Sequence, residues 1–372
     1  MINFTLLKIP RPKLSFEKDK PIALYGAGNL GKEFCQFLKK EGYNNIFFID
    51  KKIKQLTTCE NISIYPPEYP IEKTTPIIIT IFNRDVNINQ IVKELEVIGF
   101  VNVFTILDIS SLFKKKFFTS RFWITAREYY NGKEAEINNC FHLFKDIKSK
   151  NIYKSIIESR LSADFQFMPK KETNQYFPND IPKWNEPINL IDCGAYDGDT
   201  IYDIINYNYK YKYKFESIIC FEPDSINFTR LKKNSFGFSN SLPNTRLMIL
   251  PLGLWSDSKK IFFSCNEGES SHVVLNSDSK DYIQCIALDE IFINHSTSLI
   301  KMDIEGAEIE AINGSQKLIK KYKPGLAISV YHRADHLWEI PKLINDLDQN
   351  YDFYLRCHGF NGLETILYAL PK

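Results

Sequence analysis

The stretch Leu190-Ile191-Asp192-Cys193-Gly194-Ala195-Tyr196-Asp197-Gly198-Asp199-Thr200 decides the fold of the C-terminal half of this 372-residue chain. Its apolar start predicts a buried strand, its glycines predict a tight turn, and the residues after Gly198 predict the first turn of a helix. Gly194 lets the backbone approach a ligand, and Gly198 lets the helix pack close to the strand. The stretch therefore predicts one unit of a doubly wound α/β sheet.

A carboxylate stands at the end of the next predicted strand. Glu222 follows the apolar run Ser217–Phe221 and precedes Pro223 and Asp224. A carboxylate in this position can accept hydrogen bonds from both hydroxyls of a ribose, as in dinucleotide-binding folds. Together with the glycine turn, Glu222 predicts a nucleoside ligand.

The same alternation of strands and helices continues to the C-terminus. The predicted strands are Ile188–Ile191, Ser217–Phe221, Arg246–Leu250, Ile261–Cys265, Leu299–Met302, Leu326–Val330, Asp352–Arg356 and Thr365–Leu370. Alternation of this kind predicts parallel pairing through right-handed crossovers. The short link His358–Gly362 predicts a hairpin between the last two strands and hence an antiparallel edge.

The N-terminal part of the chain predicts a second sheet of the same class. The predicted elements are the strands Ile22–Tyr25, Ile46–Ile49, Ile77–Phe82 and Val101–Ile106 and the helix Ile91–Ile98. Residues 123–161 have a helical pattern, and a polar, proline-containing stretch follows. We therefore expect a Rossmann-like domain over residues 1–122, a helical connector with a loop over 123–185, and a second Rossmann-like domain over 186–372.

Three motifs of the C-terminal half together resemble the FkbM family of methyltransferases. They are D-C-G-A-Y-D-G-D-T from Asp192, F-E-P-D from Phe221, and K-M-D-I-E-G-A-E from Lys301. The resemblance covers residues 176–368, and the third motif is its most specific part. Tyr196 stands where the commonest methyltransferase pattern has a glycine.

The resemblance implies a class I methyltransferase sheet, S-adenosylmethionine as cofactor and O-methylation as the reaction. It implies that Asp192, Gly194 and Ala195 lie near the methionine portion of the cofactor. It further implies that Glu222 holds the ribose hydroxyls and that Asp224 or Ser225 lies beside the adenine. The acceptors it implies include sugars, so the expected substrate is a hydroxyl of a nucleotide-linked sugar or a surface-glycan precursor in polysaccharide biosynthesis.

Four further residues are candidates for the chemistry of methyl transfer. Asp303 and Glu305 follow the strand Leu299–Met302, at the carboxyl edge where open α/β sheets bind ligands. Either carboxylate can act as the general base, bind the acceptor hydroxyl, or hold a divalent cation such as magnesium. The structural alternative is that Glu305 and Glu308 only favour the first turn of the next helix, whose dipole stabilises acidic residues. His332 follows the strand Leu326–Val330 and is a second candidate for the base, and His358, which follows the strand Asp352–Arg356, is a third.

The N-terminal domain contains a glycine turn of its own. Gly26, Gly28 and Gly31 form a complete G-x-G-x-x-G between a strand and a helix, and Asp50 closes the next strand. This pattern predicts a second site for a nucleotide or nucleotide-sugar, for NAD(P), or for none of these if the turn is structural. Two alternative functions follow: an NAD-dependent oxidoreductase in the N-terminal half, and a non-catalytic nucleotide-sugar-binding scaffold.

The amino-acid composition limits which classes of binding partner are expected. Lysine and arginine number 47 against 45 acidic residues, for a net charge of +2, so no bulk electrostatic case exists for nucleic acid or an anionic membrane. The eight cysteines contain no C-x-x-C pair, which disfavours zinc. The sequence predicts no secretory signal and no membrane span, and hence a cytoplasmic protein with a small-molecule or glycan acceptor. It leaves homo-oligomerisation open.

Overall fold

The computed structural model describes residues 1–9, 16–59, 61–110, 112–113, 117, 122–211, 213–264, 272–273 and 282–372. The chain divides into two compact units. Unit 1 consists of Met1–Asn138, Asn151–Lys171 and Gly359–Glu364. Unit 2 consists of Asn139–Lys150, Glu172–His358 and Thr365–Lys372. Among the described helices, none combines the length and the apolar character needed to cross a membrane.

Unit 1 is built around a six-stranded sheet. Its elements are β1 (Ile22–Tyr25), α1 (Asn29–Lys40), β2 (Ile46–Ile49), β3 (Thr57–Cys59), β4 (Ile62–Tyr65), β5 (Ile77–Ile79), α2 (Ile88–Val97), β6 (Val103–Phe104) and α3 (Ile106–Ser110). The strand order is β3-β4-β2-β1-β5-β6. All pairs are parallel except β3 with β4. Two further helices, α4 (Glu134–Leu143) and α5 (Ile147–Ser162), each divide between the two units.

Two strands of unit 1 are shorter than the sequence predicts, and two were not predicted. The strand expected over Ile77–Phe82 ends at Ile79. The strand expected over Val101–Ile106 covers Val103–Phe104, and α3 begins at Ile106. Asp108 explains the early helix, because its carboxylate accepts hydrogen bonds from the backbone N–H and the hydroxyl of Thr105, as in a capping box. β3 and β4 are short, and periodicity alone detects such strands poorly.

Unit 2 is built around a seven-stranded sheet with helices between its strands. Its elements are β7 (Ile188–Cys193), α6 (Asp199–Tyr211), β8 (Phe215–Phe221), α7 (Ser225–Ser241), β9 (Arg246–Leu250), β10 (Gly253–Leu254), β11 (Lys259–Ser264), β12 (His272–Val273), β13 (Tyr282–Ile286), α8 (Leu288–Ile291), β14 (Leu299–Met302), α9 (Glu308–Asn313), α10 (Gln316–Tyr322), β15 (Gly325–Ser329), α11 (His336–Leu347), β16 (Tyr351–Cys357) and β17 (Thr365–Pro371).

The order of the large sheet is β16-β17-β15-β14-β7-β8-β9. β15, β14, β7, β8 and β9 pair in parallel, whereas β17 pairs antiparallel with β15 and with β16. The predicted α/β class and the predicted antiparallel edge are confirmed. A smaller four-stranded sheet has the order β10-β13-β11-β12. The sequence predicted β11 but neither β10, β12 nor β13, and Cys265, the predicted end of β11, lies outside the described residues.

The central strands of the large sheet are buried on both faces. Every residue of β7 and β14 is buried, as expected where helices cover both sides of a parallel sheet. The loop that precedes β7 joins this core. Tyr176, Phe177 and Trp184 pack in the same apolar cluster as Ile188 and Leu190. The polar, proline-containing stretch is therefore anchored in unit 2 by its aromatic residues.

Candidate active site

The strand order of unit 2 has a topological switch point between β7 and β14. The chain runs from β7 to β8 on one side and returns to β14 on the other, so the direction of the strand order reverses between β7 and β14. Open α/β sheets bind ligands at the carboxyl ends of the strands that flank such a point. Of the residues predicted for this unit, Asp192, Gly194 and Ala195 lie at the end of β7, and Asp303 and Glu305 follow β14. Glu222 and Asp224 follow the neighbouring strand β8, and His332 follows β15 on the other side.

The glycine turn after β7 packs directly against the end of β14. Gly194 has φ +79°, and a Cβ at this position would overlap the carbonyl oxygen of Asp303. A residue with a side chain is therefore excluded both by conformation and by space. The backbone N–H groups of Gly194 and Ala195 each donate to the carbonyl of Phe221, at 3.0 Å. The turn is thus held between the neighbouring strands on both sides.

Glu222 links the glycine turn to the turn after β8. Its carboxylate accepts hydrogen bonds from the backbone N–H of Tyr196 and of Asp224, both at 2.9 Å. The side chain is buried, and burial raises its pKa to about 7, against the two backbone donors that favour the charged form. Asp224 has a structural role, because its Oδ1 accepts from the N–H groups of Ile226 and Asn227 and caps α7.

Asp192 is fully buried inside β7 and faces Lys301 on β14. The two residues are opposite each other in the strand register, and Nζ of Lys301 lies 2.9 Å from Oδ1 of Asp192. Burial raises the pKa of Asp192 to about 6, while Lys301 opposes that shift. Among the described residues, no donor is hydrogen-bonded to Oδ2 of Asp192. The predicted contact of Asp192 with the cofactor stays a prediction.

Asp303 lies at the end of β14, and its carboxylate accepts hydrogen bonds from two tyrosine hydroxyls. Tyr176 donates to its Oδ2 at 3.2 Å, and Tyr331 donates to its Oδ1 at 3.3 Å. Tyr176 is itself held in place: its N–H donates to the hydroxyl of Tyr368, and its carbonyl accepts from Nε1 of Trp184. Tyr176 also has φ +67°, a conformation that persists only where the surroundings impose it.

His332 joins Asp303 and Glu305 to a buried carboxylate behind them. Its Nε2 lies 3.4 Å from Oδ1 of Asp303 and 3.6 Å from Oε2 of Glu305, and its Nδ1 lies 2.7 Å from Oε1 of Glu308. Burial favours the neutral imidazole, but the carboxylates, Glu308 first, outweigh it and raise the pKa of His332. The structure therefore brings these three predicted catalytic residues together.

Glu308 is the centre of this cluster. It is fully buried, accepts from the N–H of Ile304 at 3.0 Å, and pairs with Nδ1 of His336 at 3.1 Å as well as with His332. Burial works against its charge, but the two histidines outweigh burial and lower its pKa. Ligand atoms of Asp303, Glu308 and His332 lie within 4.8 Å of one another, which is the spacing of a possible cation site.

Comparison with known protein families identifies the domain that contains these strand ends. Residues 192–360 match the family described as "Methyltransferase FkbM domain". The chain contains an FkbM methyltransferase domain. The resemblance predicted from the three motifs is thereby confirmed for these residues.

One solved structure shares the fold of nearly the whole chain. It is the crystal structure of a methyltransferase FkbM from Methylobacillus flagellatus KT, with TM-score 0.76 and 18% sequence identity, covering 94% of this chain and 90% of that one. The small RNA methyltransferase HEN1 and the CMeT domain of the citrinin polyketide synthase each align with a TM-score of 0.29, which supports no conclusion. They share 13% and 10% identity and cover 49% and 91% of this chain, and 23% and 77% of their own. No curated protein matches the chain.

The glycine turn of unit 1 lies outside the FkbM domain. Gly31 lies so close to Gly26 that a Cβ on Gly31 would overlap the carbonyl oxygen of Gly26. Gly28 precedes α1, and a Cβ there would meet open space. Asp50 accepts hydrogen bonds from the N–H of Ala27 at 3.0 Å and of Lys52 at 2.8 Å. The four predicted residues are thus brought together at one sheet edge, and a nucleotide ligand there stays a prediction.

The sequence did not single out several residues that build the FkbM site. Lys301 and Glu308 lie inside the quoted K-M-D-I-E-G-A-E motif, so they were within reach of the sequence. Tyr176 precedes the matched domain, and its contact with Asp303 spans 127 residues of sequence. No local pattern signals a contact of that range. His358, which also follows a strand, is bonded at Nε2 to the hydroxyl of Tyr368, 2.8 Å away.

Proposed function

We propose that the protein is an S-adenosylmethionine-dependent O-methyltransferase that acts on a sugar hydroxyl of a nucleotide-linked or surface-glycan precursor. One observation carries the proposal. Within the FkbM domain, the glycine turn with Glu222 and the cluster of Asp303, Glu305 and His332 lie at the ends of adjacent strands on either side of the topological switch point. A nucleoside methyl donor and an acceptor hydroxyl need such neighbouring sites.

The residues of the first side suit the nucleoside. Glu222 is the proposed acceptor for the ribose hydroxyls, because its two backbone donors fix the carboxylate in one orientation. Gly194 and Ala195 are proposed to face the methionine portion, and Asp224 the adenine. When bound, S-adenosylmethionine supplies an electrophilic methyl group on a sulfonium.

The residues of the second side suit a hydroxyl acceptor. Methyl transfer is an in-line displacement, so the protein must align the hydroxyl, remove its proton and exclude water. Asp303 and Glu305 are the proposed proton acceptors. His332 is held protonated by the carboxylates around it, so we assign it the balancing of their charge rather than the role of base.

A divalent cation fits this cluster in part. Carboxylate and imidazole groups are ordinary ligands, and those of Asp303, Glu308 and His332 lie within 4.8 Å of one another. However, Glu308 is already committed to two histidines and a backbone N–H. Asp303 and Glu305 would be its ligands, joined by Nε2 of His332 only where the cation displaces the proton from that nitrogen, and the cation would polarise the acceptor hydroxyl.

A methyl-donor assay tests the proposal. Labelled S-adenosylmethionine is incubated with nucleotide-sugars and glycans, with magnesium or with a chelator, and label in the sugar is measured. We expect label in a sugar hydroxyl. Thermal shifts separate the alternatives, since a bound ligand raises stability by mass action. A shift with NAD(H) and none with S-adenosylhomocysteine favours the oxidoreductase, and a shift with a nucleotide-sugar alone favours the scaffold.

A further inference from the structure

A buried lysine stands directly beneath the glycine turn of the FkbM domain. Lys301 is 3% exposed, and its ammonium group donates a hydrogen bond of 2.6 Å to the carbonyl oxygen of Gly194. The same group pairs with Asp192 and lies 5.5 Å from the ring centre of Tyr176. Lys301 therefore joins the end of β14 to the turn that follows β7.

The surroundings of Lys301 are strongly acidic. Burial alone would favour its neutral form, but the carboxylates of Asp192, Asp303 and Asp199 outweigh burial and raise its pKa. The lysine therefore carries a positive charge at neutral pH. A buried ion pair of this kind contributes little net stability, because desolvation of the two charges offsets their attraction. Stability alone does not explain a charged group here.

Unit 1 shows that a glycine turn can be held without a charge. There the first glycine carbonyl, that of Gly26, accepts a hydrogen bond of 3.0 Å from the hydroxyl of Thr80, which follows β5. Thr80 thus makes to Gly26 the contact that Lys301 makes to Gly194. A neutral side chain suffices for the backbone, so the charge in unit 2 calls for a further explanation.

We propose that Lys301 is a positioning residue for the methyl donor. Its ammonium group fixes the carbonyl of Gly194, and hence the turn on which the nucleoside binds. The peptide that follows this carbonyl carries the N–H of Ala195, which donates to Phe221, and the next N–H, that of Tyr196, donates to Glu222. A change in the direction of the Gly194 carbonyl therefore displaces the donor that orients Glu222. The inference rests on the proposed cofactor.

The test measures the affinity of the full chain for S-adenosylhomocysteine by titration calorimetry. Lys301→Met alone leaves the Asp192 carboxylate buried without its cation, so this variant is expected to fold poorly. The variant Asp192→Asn/Lys301→Met removes both charges and is expected to retain a urea midpoint near that of the wild type. We expect its dissociation constant to rise about tenfold or more, because the lost hydrogen bond involves a charged group.

Three variants assign the effect. Asp192→Asn keeps the bond from Lys301 to Gly194, so its dissociation constant should rise less than that of the double variant, and the rise that it does show measures the contribution of Asp192 itself. Lys301→Arg, which keeps the charge, should lose less affinity than the double variant. Lys342→Met, which removes an exposed lysine from an ion pair in the same unit, should change neither affinity nor midpoint.

Each outcome of the titration has one meaning. A dissociation constant within twofold of the wild type in the double variant overturns the inference, since a purely structural role moves the urea midpoint alone. A loss in Asp192→Asn as large as in the double variant also overturns it and assigns the effect to Asp192. Absence of binding by the wild type overturns the cofactor itself, and the inference with it.

Discussion

The two glycine turns of this chain are held by similar backbone hydrogen bonds and differ in the side chains of the adjacent strand. In unit 1, Asp50 accepts hydrogen bonds from the N–H of Ala27 and of Lys52. In unit 2, Glu222 accepts from the N–H of Tyr196 and of Asp224. In both units, a carboxylate at the end of the strand after the glycine turn thus bonds to a backbone N–H of that glycine turn and to a backbone N–H of the turn in which the carboxylate itself lies.

The difference lies in the neighbouring strand on the other side. After β5 of unit 1 comes Thr80, whose hydroxyl reaches the carbonyls of Tyr25 and Gly26. The end of β14 in unit 2 instead supplies Lys301 and Asp303, and the Gly194 turn packs against the latter. A glycine turn by itself therefore does not establish a catalytic site. The charged groups on the adjacent strand end distinguish unit 2.

The largest expected effect is on the chemical step in unit 2. Asp303→Asn and Glu305→Gln should each slow methyl transfer by about 10²–10⁴-fold, because each removes a proposed general base. S-adenosylmethionine affinity should change little, since neither side chain belongs to the proposed ribose site. Single-turnover rates with an acceptor that the wild-type protein methylates measure the first effect, and calorimetry measures the second.

Added magnesium and the variant His332→Ala show whether the two carboxylates act as bases or hold a cation. If a cation is bound, excess magnesium should partly restore the rate of the carboxylate variants. If His332 is the base, His332→Ala should abolish the pH dependence of the rate instead. Near-wild-type turnover in both carboxylate variants would mean that this strand end is merely the start of α9.

Alanine substitutions in the two glycine turns should distinguish a glycine packed against a neighbouring strand from a glycine next to open space. Gly194→Ala should destabilise unit 2 by about 2–4 kcal/mol, because it combines positive φ with overlap on Asp303. Gly28→Ala should change the free energy of unfolding by less than about 0.5 kcal/mol, since its Cβ meets open space. Urea denaturation of both variants measures the difference, and equal midpoints would contradict the packing described for Gly194.

Removing each strand-end carboxylate tests whether the two turns bind different ligands. Glu222→Ala should weaken S-adenosylmethionine binding by about 1.5–3 kcal/mol for each ribose hydrogen bond lost, with the fold intact. Asp50→Ala should leave that affinity unchanged, because Asp50 belongs to the other sheet. Titration calorimetry of the pair decides. A wild-type affinity in Glu222→Ala, or a lost affinity in Asp50→Ala, would contradict the proposal that only the turn of unit 2 binds the methyl donor.

The smallest expected effect is a pH dependence of cofactor affinity. Burial raises the pKa of Glu222 to about 7, and the ionised form is the better acceptor for ribose hydroxyls. Protons therefore compete with the cofactor, and affinity should fall as pH falls through 7. The dissociation constant of S-adenosylhomocysteine should be about tenfold higher at pH 6 than at pH 8. Glu222→Gln should remove this contribution, and an equal dependence in that variant would assign the proton elsewhere.

The sequence by itself determined the class of the fold and the ends of the strands that precede Glu222 and Asp303. Apolar runs and glycine turns predicted the central strands β1, β2, β7 and β14, because buried strands and tight turns are encoded within a few neighbouring residues. The motifs also predicted the FkbM domain. The same local information placed Glu222, Asp303 and His332 at the carboxyl edge, since each directly follows an apolar run.

The tertiary structure alone decided which of these side chains meet and what charge they carry. Glu308 appeared in the sequence as one acid of a helix start, yet burial between two histidines makes it the centre of the site. Lys301 becomes a partner of Asp192 through strand register, and Tyr176 reaches Asp303 across 127 residues. Burial and through-space charge set each pKa, and neither is a property of neighbouring residues in sequence.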